Sequence, residues 1–438
     1  MANLSKQQAV VIGSGVGGLA TACRLANKGY EVDVYEAQDH PGGKLSQLQL
    51  GPYRFDAGPS LCTLPHLIDE VFTECGRNPR DYVNYLPLEE ACRYWWPDGA
   101  QLTAWLDPDR FANEVEAQLG EPAKQVHRYL KKASRLYEGP GRLFTEKPLH
   151  KTETWLNARA LKAGLQVGWR QLFGSLHGAN AAAFDDPRLV QLFDRFATYN
   201  GSDPYQAPGM LQLIPHLEQN VGPVFPEGGM VQITNSLHRL AEELGVRFHF
   251  KSPVERILVE KKMVKGVRVK GKTYAADVVV SNLDIHAVYR HLIPRQPAPN
   301  GSLSQERSSS ALIFYWGMTR EFPELGLHNI FFSSDYRKEF EQIFQEKSLP
   351  TEPTVYVNIS SKHAPEDAPP GHENWFVLIN VPSKPKVIQR RHIPECRQLV
   401  GRLLEPYLGV NPTDYIAQED TLTPARLQTR DGSYLGAL

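Results

Sequence analysis

The chain has 438 residues, with 48 Lys plus Arg against 49 Asp plus Glu and a formal net charge of −1. The length fits two or three domains, and the balanced charge leaves no basic excess to make nucleic acid the main partner. Hydrophobic residues at 41% and charged residues at 22% exclude disorder, collagen and coiled coil. The five cysteines (Cys23, Cys62, Cys75, Cys92, Cys396) are widely spaced, with no C-x-x-C pair. That argues against a disulfide framework or a structural zinc site, and for a reducing cytosol. The histidines show neither His-x-x-x-His nor Glu-x-x-His spacing, so no metal is expected. No run approaches eighteen apolar residues, and the N-terminus lacks a basic start followed by an apolar run. Neither a transmembrane helix nor a secretory signal is expected.

The first predicted element is a short buried strand, Ala9 to Ile12. Gly13-Ser14-Gly15-Val16-Gly17-Gly18 follows at once, then a helix from Leu19 to Lys28 that stops at Gly29. Tyr30 to Tyr35 alternates as a second strand and ends at Glu36. Strand, glycine turn, helix and strand, with an acid about twenty residues past the glycines, is the pattern of a dinucleotide site. Gly13 permits the tight turn, Gly15 lets backbone approach a pyrophosphate, and Gly18 lets helix and strand pack. The helix N-terminus offers free N–H groups and a partial positive charge to phosphates. Glu36 can accept hydrogen bonds from ribose hydroxyls. The competing reading is a purely structural glycine turn, and the motif alone does not separate NAD from FAD.

Gly42-Gly43-Lys44 comes next, then Gly51 through Phe55-Asp56-Ala57-Gly58-Pro59-Ser60. From Trp155 to Phe184 there is no acidic residue, while Arg159, Lys162 and Arg170 are basic. Leu161, Leu165, Trp169, Leu172, Phe173 and Leu176 recur at spacings of three or four, which predicts a basic amphipathic helix over about 155–177. It packs on its own core or docks on an anionic membrane surface, and both readings stand. Pro226-Glu227-Gly228-Gly229-Met230 precedes a helix carrying Leu237, Leu240 and Leu244 and ending at Gly245. Strands are predicted over Val246 to Phe250, Val254 to Val259 and Val264 to Val269, and Tyr274 to Asn282 closes the segment.

The acid, glycine pair, base and Phe-Asp-x-Gly-Pro turn resemble the flavin-containing amine oxidase and phytoene desaturase superfamily. Gly58-Pro59-Ser60-Leu61, Phe196 through Ser202, Leu213 through Glu218, Val279 through Asp284 and Leu325 through Ile330 are similar to bacterial phytoene-desaturase-type carotenoid enzymes. The Ala-Thr-Tyr-Asn-Gly-Ser stretch is most similar to the 1-hydroxycarotenoid 3,4-desaturases, and the likeness runs over essentially the whole chain. The resemblance implies an α/β fold: a Rossmann-like FAD-binding domain of the GR2/amine-oxidase type, interleaved with an α+β substrate domain. The FAD domain would take 1–90 and 220–290, and the substrate domain 91–219 and 291–410. Residues 411–438 would begin the return to the FAD domain. The resemblance further implies that the segment from Glu36 to Ser60, with Lys44 in a basic position, runs past the FAD pyrophosphate towards the isoalloxazine, and that backbone at Val254 contacts the adenine.

The implied reaction is FAD-dependent desaturation of an acyclic carotenoid, with 3,4-desaturation of a 1-hydroxylated one as the finer expectation. Its carbons carry no acidic proton, so a cofactor that accepts hydride fits the chemistry. A polar group beside the flavin would stabilise developing charge or take the second proton. Asp56 is the candidate by position, with turn capping as its alternative. Tyr199, Asn200, His216 and His328 are candidate tunnel residues, with a satisfied structural histidine as the competing reading for each His. The electron acceptor is open among oxygen, a quinone and another carrier. The expected location is cytoplasmic, at a membrane surface. The rivals are a redox-neutral carotenoid isomerase, an amine oxidase-like enzyme and an inactive protein. Similar proteins continue past Leu438 with a strand, a Gly-rich turn and a helix. A C-terminally truncated chain is therefore expected, with a natural short form as the alternative.

Overall fold

The computed structural model describes residues 7–142, 151 and 169–438. Four parallel strands form a small sheet in the order Val278–Ser281, Gln8–Ile12, Glu31–Tyr35, Arg247–His249. The central strand is apolar without alternation because both of its faces are covered. Ala9 and Val11 face the helices Val16–Asn27 and Val231–Glu243. Val10 and Ile12 face a three-stranded antiparallel sheet of Val254–Glu260, Met263–Val269 and Lys272–Ala275. The two helices bury Leu19, Ala22 and Cys23 against Ile233, Leu237 and Leu240. The predicted elements therefore fall where the apolar periodicity puts them.

A second sheet has seven strands, in the order Ile416–Leu422, Ser310–Met318, Glu373–Val381, Val355–Ile359, His328–Phe331, Glu90–Trp95, Gln101–Trp105. Its pairings are antiparallel except between His328–Phe331 and Glu90–Trp95. Side chains alternate across a strand, so each face of this sheet has its own core. Leu312, Phe314, Val357, Phe331 and Val377 pack under the helix His392–Leu408. Ile313, Leu378, Tyr356 and Ile330 point the other way, towards the hairpin Gln47–Leu50/Tyr53–Asp56 and a layer of helices that includes Ala123–Leu136 and Pro187–Asp194.

Segment 411–438, expected to begin a return to the nucleotide layer, first supplies the edge strand Ile416–Leu422 of the large sheet. Only beyond that strand does it meet the small sheet's loops. Gln38 Nε2 donates to the Arg430 carbonyl at 3.0 Å, and the Tyr434 N–H donates to Asp284 at 3.1 Å. Most of the predicted basic helix over 155–177 lies outside the described residues. Its described end is not the one helix expected: Trp169–Phe173, with Leu172 and Phe173 exposed, stops before Gly174, and buried Leu176 opens a second helix, Leu176–Ala181, capped by Ser175. Among the described residues no helix is long and apolar enough to cross a membrane. All five cysteines are free and buried.

Candidate active site

Two cavities meet between the sheets. The first, of about 820 Å³, opens at the C-terminal ends of the small sheet's strands, where open parallel sheets bind ligands. Gly13 leaves the strand at φ +90°, a conformation that suits glycine. A Cβ on Gly15 would lie 2.8 Å from Asn282 Nδ2, and one on Gly17 would lie 2.7 Å from Asn282 Oδ1. One on Gly18 would sit 2.0 Å from the Gly13 carbonyl oxygen, so only bare backbone fits there. No side chain caps the helix Val16–Asn27, which leaves its N-terminal N–H groups for an anion.

Glu36 ends the second strand and is buried. Its carboxylate accepts from the Ser14 N–H at 2.7 Å, from Ser14 Oγ at 2.8 Å and from the Gln38 N–H at 2.9 Å. It therefore ties the glycine turn to the strand end, and it lines the cleft. Gly42 and Gly43 have φ of +114° and +57° and also line it, as does Val254 across the opening. The nucleotide candidates read from sequence thus belong to this cleft or to the turn that shapes it, except Gly58, which lines the second cavity. Asn282 is the added residue. It sat inside a recognised strand, but nothing in the strand pattern marks it as the side chain that closes over the glycines.

The second cavity, of about 430 Å³, lies on the inner face of the large sheet. Lys44, Pro59, Leu61 and Arg430 border both cavities. Lys44 is half-buried, and its burial lowers the ammonium pKa from its ordinary value against the opposing pull of Asp431 and Asp284. Gly58 is required by packing, since a Cβ there would lie 2.0 Å from the Lys44 carbonyl oxygen. Ile313, Leu378, Leu422 and Ile330 make the cavity wall largely apolar.

Two polar groups interrupt that wall. Ser60 Oγ lies 2.7 Å from Tyr356 Oη, which lies 2.8 Å from His328 Nδ1. Asn358 Nδ2 donates to the same nitrogen at 3.2 Å, so that ring nitrogen is the acceptor. Burial pushes His328 down to about 3, helped by the nearby Arg195 and His363. The imidazole is therefore neutral at working pH. The other group is a buried ion pair. Arg195 Nη2 lies 2.9 Å and 3.0 Å from the two oxygens of Glu218 and donates to Tyr94 Oη at 2.8 Å. Tyr199 Oη donates to Glu218 Oε2. Burial lowers the Arg195 pKa, but Glu218 together with Tyr94, Tyr199 and Cys92 more than offsets it and holds the guanidinium above its ordinary value. No sequence spacing could have paired these two residues from separate helical turns.

Three candidates are placed elsewhere. Asp56 is buried outside the cavities and accepts from the N–H groups of Met230 at 2.8 Å and Val231 at 3.1 Å and from Arg54 at 3.1 Å. It caps the helix Val231–Glu243, which corrects the expectation of a catalytic acid. Asp56→Asn is expected to destabilise the fold by about 1–2 kcal/mol. The turnover of the folded fraction should stay within about twofold, because a cap touches no reacting atom. Chemical denaturation followed by activity per folded molecule checks both halves. His216 packs against Tyr137 and lies 2.9 Å from Asn220 Nδ2, away from the cavity. Asn200 ends a helical turn in an exposed position and does not line it. Tyr199 and His328 do line it.

A glycine turn at a parallel sheet's mouth, joined through a shared wall to an apolar cavity, has the form of a dinucleotide site that opens on an apolar pocket. The sequence profile of the flavin containing amine oxidoreductases matches residues 16–423, and the chain belongs to that family. It is a flavin-dependent oxidoreductase. The 1-hydroxycarotenoid 3,4-desaturase of Flavobacterium sp. (strain P99-3) is 43% identical over 99% of this chain and 88% of its own length. The carotenoid 3,4-desaturase of Haloarcula japonica is 30% identical over 100% of this chain and 89% of its own. Among solved structures, a putrescine oxidase variant superposes with a TM-score of 0.62 at 13% identity, covering 99% of this chain and 87% of its own, which speaks for the fold alone.

Proposed function

We propose that the protein is an FAD-dependent desaturase of acyclic carotenoids, and that a 1-hydroxylated carotenoid oxidised between C3 and C4 is its substrate. The observation that carries this reading is the apolar cavity that shares Lys44, Pro59 and Leu61 with the nucleotide cleft. The 43% identity to a desaturase of that printed specificity supports the substrate class. Gly13, Ser14, Gly15, Gly17 and Gly18 would hold the pyrophosphate, Glu36 the ribose, and Val254 the adenine side. Gly42, Gly43, Lys44, Gly58 and Pro59 would line the path to the flavin ring. Bound FAD supplies the hydride acceptor that removal of hydrogen from unactivated carbons needs.

The chain's own residues do the rest. Ile313, Leu378, Leu422 and Ile330 exclude water and align a long apolar chain along the sheet. Neutral His328 and Tyr356 satisfy each other, so neither brings charge to the hydrocarbon. We also read 1–90 with 220–290 as the nucleotide domain and 91–219 with 291–410 as the substrate domain. Docking to an anionic membrane surface through about 155–177 fits a lipophilic substrate and is supported by exposed Leu172 and Phe173.

Product analysis tests the reaction. With a hydroxylated acyclic carotenoid, the expected product is two hydrogens lighter and absorbs at longer wavelength. A product of unchanged formula would identify an isomerase and reject the desaturase reading.

A further inference from the structure

Removing hydride and proton from a hydrocarbon requires no ion pair at the cavity wall, yet Arg195 and Glu218 line it. Their side chains are only 11% and 2% exposed. A buried pair of this kind is seldom more stable than well-packed apolar residues of the same volume, so stability alone does not account for it. Its place along the cavity is informative. Leu422, Ile313, Leu378, Tyr356, Ile330 and Tyr94 are register partners on six successive strands of the large sheet. At about 4.8 Å per strand this row spans roughly 24 Å. The first five line the cavity. Tyr94 ends the row against Arg195. At the opposite end Arg430 is paired with Asp431 at 2.8 Å and borders the nucleotide cleft, so it belongs to that site. The cavity thus has a largely apolar floor, broken by the internally paired Tyr356 and His328, with the Arg195–Glu218 ion pair at one end.

We propose that Tyr199, positioned by Glu218 and Arg195, accepts a hydrogen bond from the hydroxyl of a hydroxylated acyclic polyene and selects it over the unhydroxylated hydrocarbon. The inference rests on the desaturase reading above and deepens it. Tyr199 lines the cavity and is 38% exposed. Its proton is committed to Glu218 Oε2, which leaves the phenol oxygen free to accept. Donation to a carboxylate makes that oxygen a better acceptor, since linked hydrogen bonds polarise one another. Burial and the adjacent Glu218 keep the phenol protonated, so this direction holds across the working pH range. A hydrocarbon end at the same place would desolvate these groups without pairing them, and buried polar sites reject analogues that lack the matching group. The hydroxyl and the bond to be oxidised are close in such a substrate, C1 against C3–C4. Pro59 and Leu61, which also border the nucleotide cleft, flank Ser60, whose 2.7 Å contact with Tyr356 places this wall two strands from the Tyr94 end of the floor.

The test compares the wild type and Tyr199→Phe as flavin-loaded full chains, with three polyenes of one length: hydroxylated, its methyl ether and unhydroxylated. The wild type is expected to favour the hydroxylated polyene in kcat/KM by about tenfold, and to treat the ether, which cannot donate, like the hydrocarbon. In Tyr199→Phe the KM for the hydroxylated polyene should rise about tenfold. The hydrocarbon should be slowed far less than the hydroxylated polyene, and the melting temperature should fall by no more than the loss of one donor to a buried carboxylate allows. A variant that keeps the preference, or that slows both substrates equally, overturns the inference. A wild type that oxidises both without preference overturns it and leaves the desaturase reading intact. A wild type that oxidises none of the three overturns the desaturase reading, and this inference falls with it.

Discussion

Glu36→Ala is expected to weaken FAD binding about a hundredfold, read by titrating the apoprotein and following the shift of the visible flavin band. Two losses combine. The Ser14 N–H and hydroxyl and the Gln38 N–H all donate to this one carboxylate. Removing it strands buried donors at a cost of about 1–3 kcal/mol for each one left unpaired. Part of that cost reaches ligand binding, because Ser14 is the second residue of the glycine turn whose backbone faces the cleft. On the proposed function an acceptor for the ribose would be lost as well. The conservative Glu36→Gln keeps one carbonyl oxygen and should fall between the two. An alanine variant that binds FAD as tightly as wild type would mean that the cleft does not use this carboxylate.

Breaking the buried ion pair gives the largest expected change in stability. Glu218→Leu leaves the Arg195 guanidinium in a nearly dry site and removes the partner of Tyr199. The expected loss is about 3–5 kcal/mol, read as a lower denaturation midpoint in guanidinium chloride. Removing both charges, Arg195→Met with Glu218→Leu, should recover most of it, because no uncompensated charge remains. The double variant then separates the two roles of the pair. It should fold well and yet lose any preference for a hydroxylated substrate. If it is as unstable as the single variant, the pair holds the fold together through something other than charge compensation.

The nucleotide site was legible in sequence because its chemistry is local. Gly13, Gly15, Gly18 and Glu36 lie within one strand–helix–strand unit, and each glycine has a steric reason that its neighbours reveal. What lies outside that unit was readable only as order along the chain. Asn282 follows a recognisable strand, but its position over Gly15 and Gly17 depends on strand pairing. Asp56 was only half legible for a related reason: capping stood beside catalysis as its reading, and the contacts favour capping. It sits in a motif that by resemblance would pass the flavin, but its carboxylate turns to backbone N–H groups 174 and 175 residues further on. The helix that begins after Gly228-Gly229 is recognisable in sequence, but nothing there pairs its first N–H groups with a carboxylate so far upstream. His216 and His328 look alike in sequence. Only packing puts the second on the cavity wall and the first against Tyr137. The cavity floor is made by residues on five strands, and only sheet order brings them into one row.

The most direct test of the account is a single-turnover experiment without an electron acceptor. Flavin-loaded protein is mixed anaerobically with a hydroxylated acyclic carotenoid, and the flavin band and the polyene mass are followed together. The account predicts that the flavin band bleaches while an equal amount of polyene becomes two hydrogens lighter. A flavin that stays oxidised while the polyene keeps its mass would contradict it.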